Sequence, residues 1–166
     1  MALKTAISVE EYLRTSYEVA PDYIEGELHE RTMPSSQHSN AQAEIVFFVR
    51  QTQEQTGLHA NPEIHMRIEP GRYRVADMAL FYGPAERGYP SRPPIAVIEI
   101  SSPNDSHSDL MARMRDYERW GVPYIWLADP DERTLHRYRG GSLQAVDAIE
   151  IPEHRFLMPA ARIFGG

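Results

Sequence analysis

Residues 95 to 129 constrain the fold more than any other stretch of the chain. IAVIEIS reads as a buried strand, NDSHSDLMARMRDYERWG as a helix capped by Ser106 or Ser108 and stopped by Gly121, and YIWLAD as a second buried strand. A strand, a helix of about four turns and another strand fit a right-handed crossover that joins parallel neighbours. The remaining elements must be arranged around that unit.

Upstream, Ser8 and Glu11 form a capping box that opens a short helix. DYIEGELHERTM alternates around Glu25-Gly26 as a hairpin or bent strand. The longest helical pattern runs from Ser36 to Thr56, ends at Gly57, and puts His38, Ala41, Ile45, Phe48, Val49 and Thr52 on one face. Residues 64 to 82 read as two strands around a Pro70-Gly71 turn, followed by a proline-rich surface loop, and TLHRYRGGSLQAVD closes with a Gly-Gly hairpin. The order is helix, strands, long helix, three strands, helix, strand, hairpin, which is a mixed α/β plan. No internal repeat or low-complexity tract interrupts it. With 166 residues the expectation is a single domain over residues 1–166, with 140–166 as a C-terminal hairpin and tail.

Composition removes several classes of function. The absence of cysteine excludes disulfides, thiolate metal sites and cysteine nucleophiles. No segment reaches the roughly 20 apolar residues of a membrane span, and the apolar run of MALKTAISVEEYL breaks at Glu10 and Glu11, so a cytoplasmic protein without membrane attachment is expected. A formal charge of −7 argues against nucleic-acid binding by bulk electrostatics but leaves room for a local basic groove. The first sixty residues hold nine acids against four bases, so the negative excess is concentrated there. Of the bases only Lys4 is a lysine; the other sixteen are arginine.

Two acids stand out because they interrupt apolar strands. Asp77 shares a strand face with Val75, Ala79 and Phe81, and Glu99 shares one with Ile95 and Val97. An ionised carboxylate buried without a partner would neutralise, pair or bind a metal. If the two strands are neighbours, the carboxylates converge and repel unless a cation joins them, and Mg²⁺ or Mn²⁺, with a preference for oxygen donors, meets that need. The plainer alternative is an acid at a solvent edge, or one paired with Arg67 or Arg74.

The series YIEGELHE, PSSQH opening a long helix, VADMALF, PPIAVIEISSP and DLMARMRDYERWGVPYIWLADP resembles the Uma-type family of restriction-endonuclease-like domains, a branch of the PD-(D/E)xK nuclease superfamily. The resemblance covers about residues 8 to 139. It implies an α/β (α+β) restriction-endonuclease-like fold, a central mixed β-sheet flanked by helices. It also implies an endonuclease that hydrolyses phosphodiester bonds of nucleic acid, with DNA favoured by family analogy, and places Asp77 and Glu99 on the motif's two acids. The Ile100 backbone carbonyl would be a further metal ligand, and Glu27 matches an acid of the family's N-terminal hairpin that could join the cluster. Ser101 stands where the motif has lysine, and Arg113 falls where Uma-type sequences carry a lysine on the following helix. Arginine can offset phosphoryl charge but is a poor general base. Ala76 replaces the motif's proline.

Each supporting residue also has a structural reading. Arg113 could simply pair with Asp109 on its own helix. His38 matches a family histidine and could hydrogen-bond a metal water, or serve as a capping or core residue. Glu44 lies at the border of the apolar stripe, and Tyr117 and Trp126 have the spacing of core residues. The remaining histidines show no metal-ligand spacing. Two functions follow: a metal-dependent endonuclease, acting as a homodimer if both strands are to be cut, or a degenerate nuclease fold that binds DNA or protein without cutting.

Overall fold

The computed structural model describes residues 6–165, so Lys4 and the first residues of the N-terminal segment lie outside the described residues. Helix α1 (Val9–Arg14) begins where the Ser8 hydroxyl accepts from the Glu11 N–H, as the capping box predicts. The hairpin β1 (Asp22–Ile24) and β2 (Glu27–His29) turns at Glu25-Gly26, where both residues have positive φ, of 49° and 90°. Such a turn matches the twist of the paired strands and favours glycine. Helix α2 (Ser36–Thr56) is capped by Ser35 and ends at Gly57 in the left-handed region.

Strands β3 (Leu58–Glu69) and β4 (Arg72–Tyr82) form a long antiparallel pair, and β5 (Ala96–Ile100) pairs antiparallel with β4. Helix α3 (His107–Trp120), capped by Ser106 and stopped at Gly121, then leads to β6 (Tyr124–Asp129), which runs parallel to β5. The expected crossover is present and makes the sheet mixed. β7 (Thr134–Arg139) and β8 (Ser142–Val146) extend it, giving the order β2-β1-β4-β5-β6-β7-β8 with β3 also on β4.

The sheet separates two apolar layers. Ala41, Ile45 and Val49 of α2 pack on Met78, Leu80, Ile98 and Trp126 on one side. Met114 and Tyr117 of α3 pack on Ala79, Val97, Ile125 and Leu127 on the other. The C-terminal residues are more than a tail. β9 (Ala148–Ile151) and β10 (Phe156–Pro159), joined by a turn of 3-10 helix, form a second two-stranded sheet. Its Ile149, Ile151, Phe156 and Met158 join the α2 layer with Ile163 of α4 (Ala160–Ile163). Among the described residues no helix is long and apolar enough to cross a membrane.

Sheet pairing also explains where polar groups collect. β4 pairs with β1 only at its start, Tyr23 with Tyr73, and with β5 only near its end, from Met78↔Ile98 to Leu80↔Ala96. Between them, around Val75, side chains replace strand partners. The Val75 N–H donates to Asp22 Oδ1, and its carbonyl accepts from Arg113 Nη2. Buried backbone groups must be satisfied, and a carboxylate and a guanidinium do it here.

Candidate active site

One register step beyond Met78↔Ile98 sets Asp77 across from Glu99. Both are buried on paired strands, close enough for the Asp77 charge to raise the Glu99 pKa. They line a cavity of about 350 Å³ that also reaches Arg31, His38, Ile100 and Arg113. The strand alternation therefore brings together the two acids that the sequence singled out.

Each acid already has partners. Asp77 Oδ1 accepts from Arg31 Nη2 at 2.8 Å and lies 3.3 Å from His38 Nε2, while Oδ2 accepts from the Ile100 N–H at 2.8 Å. Glu99 Oε1 accepts from Tyr117 Oη at 2.7 Å and from Arg113 Nη2 at 2.9 Å. Arg113 thus turns into the sheet, where it pairs with Asp22 and Glu99 rather than with Asp109. Tyr117, which its spacing assigns to packing, is in the core and also orients Glu99.

Burial raises the Asp77 pKa, but the His38 hydrogen bond and the Arg31 charge outweigh it and hold the carboxyl well below the usual range. For Glu99 burial dominates. Arg113 opposes it, the neighbouring Asp77 charge and hydrogen bond add to it, and the pKa is pushed up to about 7. Burial and the Asp77 charge thus favour the neutral form of Glu99 more than water would. Burial disfavours the His38 imidazolium, yet its hydrogen bond to Asp77 and the Asp77 charge hold its pKa above the ordinary value.

These shifts predict a pH profile for the metal-free protein. Glu99 binds its proton more tightly folded than unfolded, so its contribution is full below its ordinary pKa of 4.5 and is lost as pH rises through about 7. His38 acts in the same sense from 6.5 upward. Asp22 and Asp77, both lowered from 3.8, contribute above that value and lose stability as acid is added. Urea denaturation should show stability falling from pH 5 to pH 8, and Glu99→Gln should flatten much of that slope. A Glu99→Gln slope equal to the wild type's would mean that Glu99 is ionised across the range.

Behind the acids lies an ion-pair network that the sequence reading did not find. Asp22 takes Arg74 at 2.8 Å and also Arg113, and Asp116 takes Arg74 at 2.6 Å and Arg72 at 3.0 Å. In front, Arg31 bridges Asp77 to Glu63 at 2.9 Å, and Gln42 Nε2 reaches the Asp77 carbonyl at 2.7 Å. Glu63 has φ of 50° within β3, opposite Asp77, a backbone state that non-glycine residues seldom adopt. No short motif marks these residues. An arginine in a loop or an acid at the first position of a hairpin resembles any solvated charge until the sheet is assembled.

The structure does not bring Glu27 to the acid pair. It is exposed on β2, 3.7 Å from His29, and among the described residues no three His, Asp or Glu side chains gather as a metal cluster. Glu44 is partly exposed on α2 and outside the cavity lining.

The model of the Uma2 family, described as "Putative restriction endonuclease", matches residues 9–160. The chain belongs to that family. A solved structure from Anabaena variabilis, described as "a putative nuclease belonging to DUF820", aligns with TM-score 0.79 and 26% identity over 96% of this chain and 98% of that one. The restriction-endonuclease-like fold expected from the Uma-type resemblance is therefore the fold observed. A DrdV–DNA complex aligns over 66% of this chain and 12% of that one, at TM-score 0.36 and 15% identity, too slight a likeness to carry an argument. No curated protein matches the chain. Against the Uma2 match, Arg113 and Tyr117 gain a specific meaning: both hold the acid at the end of β5.

Proposed function

We propose that this Uma2 chain is a divalent-metal-dependent endonuclease acting on nucleic acid, with DNA the favoured substrate by family analogy. The observation that carries the reading is the Asp77–Glu99 pair, two buried carboxyls on paired strands that line one cavity, with the Glu99 pKa pushed up by burial and by Asp77. Two acids directed at one cavity mark a place that a hard dication can take. Two carboxylate donors and the Ile100 backbone carbonyl suit Mg²⁺ or Mn²⁺, with water completing the shell. When bound, such an ion supplies Lewis acidity at a phosphoryl oxygen and a water of lowered pKa.

The chain's own residues do the rest. Tyr117 and Arg113 fix Glu99 Oε1, and the Ile100 N–H fixes Asp77 Oδ2. Arg113 is a positioning residue rather than a phosphate ligand, because both of its terminal nitrogens are already bonded to Asp22, Val75 and Glu99. His38, 3.3 Å from Asp77, is placed to accept or return a proton at the cavity wall. Cleavage of both strands of a duplex would bring two copies together, so the active species is read as a homodimer.

One observation favours a second reading, a nuclease fold that binds without cutting. Both acids already have a protein cation as partner, and no lysine is present among the described residues. Metal titration separates the two. Saturating Mg²⁺ or Mn²⁺ at about 100 times its Kd should stabilise the protein by about 2.7 kcal/mol, read as a rise in Tm. Asp77→Asn should abolish that rise, together with metal-dependent nicking of supercoiled plasmid. A Tm indifferent to both metals, with intact binding of a DNA duplex, would favour the non-cutting module.

A further inference from the structure

Two cavities meet at Asp77. The one already described lies on the Glu99 side, and a second of about 360 Å³ is lined by Tyr17, Gln42, Glu63 and His65. Arg31, Thr32, His38 and Asp77 border both, so the Arg31–Asp77 ion pair is part of the wall between them. Arg31 belongs to the segment between β2 and α2, which has no regular secondary structure. Its guanidinium takes Asp77 on one nitrogen, and Glu63 and the Ala20 carbonyl, at 3.3 Å, on the other.

Arg31 and Arg113 both neutralise an acid of the pair, but they differ in what holds them. Arg113 is bound to Asp22 and Glu99, whose side chains are each only 2% exposed, and to the Val75 carbonyl; pulling it away would leave Glu99 without its guanidinium in the interior and Asp22 on Arg74 alone. Arg31 is bound on its far side to Glu63, whose side chain is 46% exposed and keeps a bond from Gln42. If Arg31 leaves, water can solvate Glu63, and only Asp77 needs a replacement cation. Of the two guanidiniums at the acid pair, Arg31 is therefore the one that can be exchanged.

We infer that Arg31 is an exchangeable cation of the active site: it neutralises Asp77 in the metal-free protein and, once a dication occupies the acids, turns into the adjoining cavity to hold a phosphate of the substrate. The inference rests on the metal-dependent reading above. It explains why an arginine anchored on the exposed Glu63 is paired with a candidate metal ligand, and it supplies the phosphate contact that the locked Arg113 cannot make. A planar fork that fits a carboxylate fits a phosphate equally well.

The wild-type protein can report the exchange directly. With Mn²⁺ at a concentration that raises its Tm, Arg31 should react several times faster with phenylglyoxal, mapped by mass spectrometry, while Arg74 and Arg113 stay protected. A phosphorothioate DNA duplex added with the Mn²⁺ should slow Arg31 again. Calorimetry with Mn²⁺ alone supplies the second arm: Arg31→Gln removes the competing charge and should tighten binding about tenfold, whereas Arg31→Lys should stay close to wild type. Unchanged Arg31 reactivity in stabilising Mn²⁺, or equal tightening in both variants, would overturn the inference and leave the nuclease reading standing. Failure of Mn²⁺ to bind or stabilise the wild type would overturn both.

Discussion

Arg113→Ala is expected to cost about 3–5 kcal/mol of folding stability, the usual penalty for breaking a buried ion pair by removing one partner. The size follows from what the guanidinium touches. Among the described residues it is Glu99's only direct cation and one of two on Asp22, and it is the donor to the Val75 carbonyl. Arg74 would still hold Asp22, which keeps the loss from being larger. Against the roughly 5–15 kcal/mol available to a domain, such a loss is a large fraction of the whole. Equilibrium denaturation in urea measures it, and Arg113→Lys, which retains the charge without the fork, should recover part of it. An Arg113→Ala midpoint within error of wild type would mean that water reaches this network and that Glu99 is held by Tyr117 alone.

The stability role of Arg113 also shows what the sequence could and could not disclose. The crossover from β5 through α3 to β6 was readable because each boundary carries its own chemical mark: five apolar residues around Glu99, a serine cap, a glycine stop. The hairpin at Glu25-Gly26 and the turn at Pro70-Gly71 were readable for the same reason. β3 begins six residues earlier than its pattern suggested, because Asn61, Pro62 and Glu63 read as a break. The strand bends there, at a residue with positive φ, and resumes. β9 and β10 were hidden because each is four residues long and becomes a core element only by packing on α2 and Trp126.

For the site, strand alternation alone brought out Asp77 and Glu99, since an acid between apolar neighbours is visible in one dimension. His38 and Arg113 needed the family pattern. Asp22, Arg31 and Glu63 could not be seen at all, and Tyr117 was visible only as a core residue, because their roles depend on a gap in the pairing of β4 and on side chains converging from separate elements. Glu27 shows the opposite error: a match in the hairpin placed an acid that the strand then turns to solvent, while Asp22, five residues earlier, is the buried one. A two-residue hairpin turn sets which side chains face inward, and that depends on how β1 meets β4.

Glu99→Gln should reduce metal-dependent cleavage of supercoiled plasmid by about a thousandfold, the scale of a lost metal ligand worth several kcal/mol of transition-state stabilisation, while the protein keeps its fold. The two halves of that expectation come from the same feature. With its pKa pushed up to about 7, Glu99 favours its neutral form at pH 6 in the metal-free protein, and glutamine imitates that form in size and shape. Its carbonyl oxygen can still accept from Tyr117 and Arg113. What glutamine cannot do is ionise to receive a dication. Loss of cleavage with an unchanged Tm at pH 6 therefore assigns Glu99 to metal-dependent chemistry. Loss of both would make it a structural residue of the arginine network. Cleavage at the wild-type rate would move the metal, and with it the reaction, away from β4 and β5.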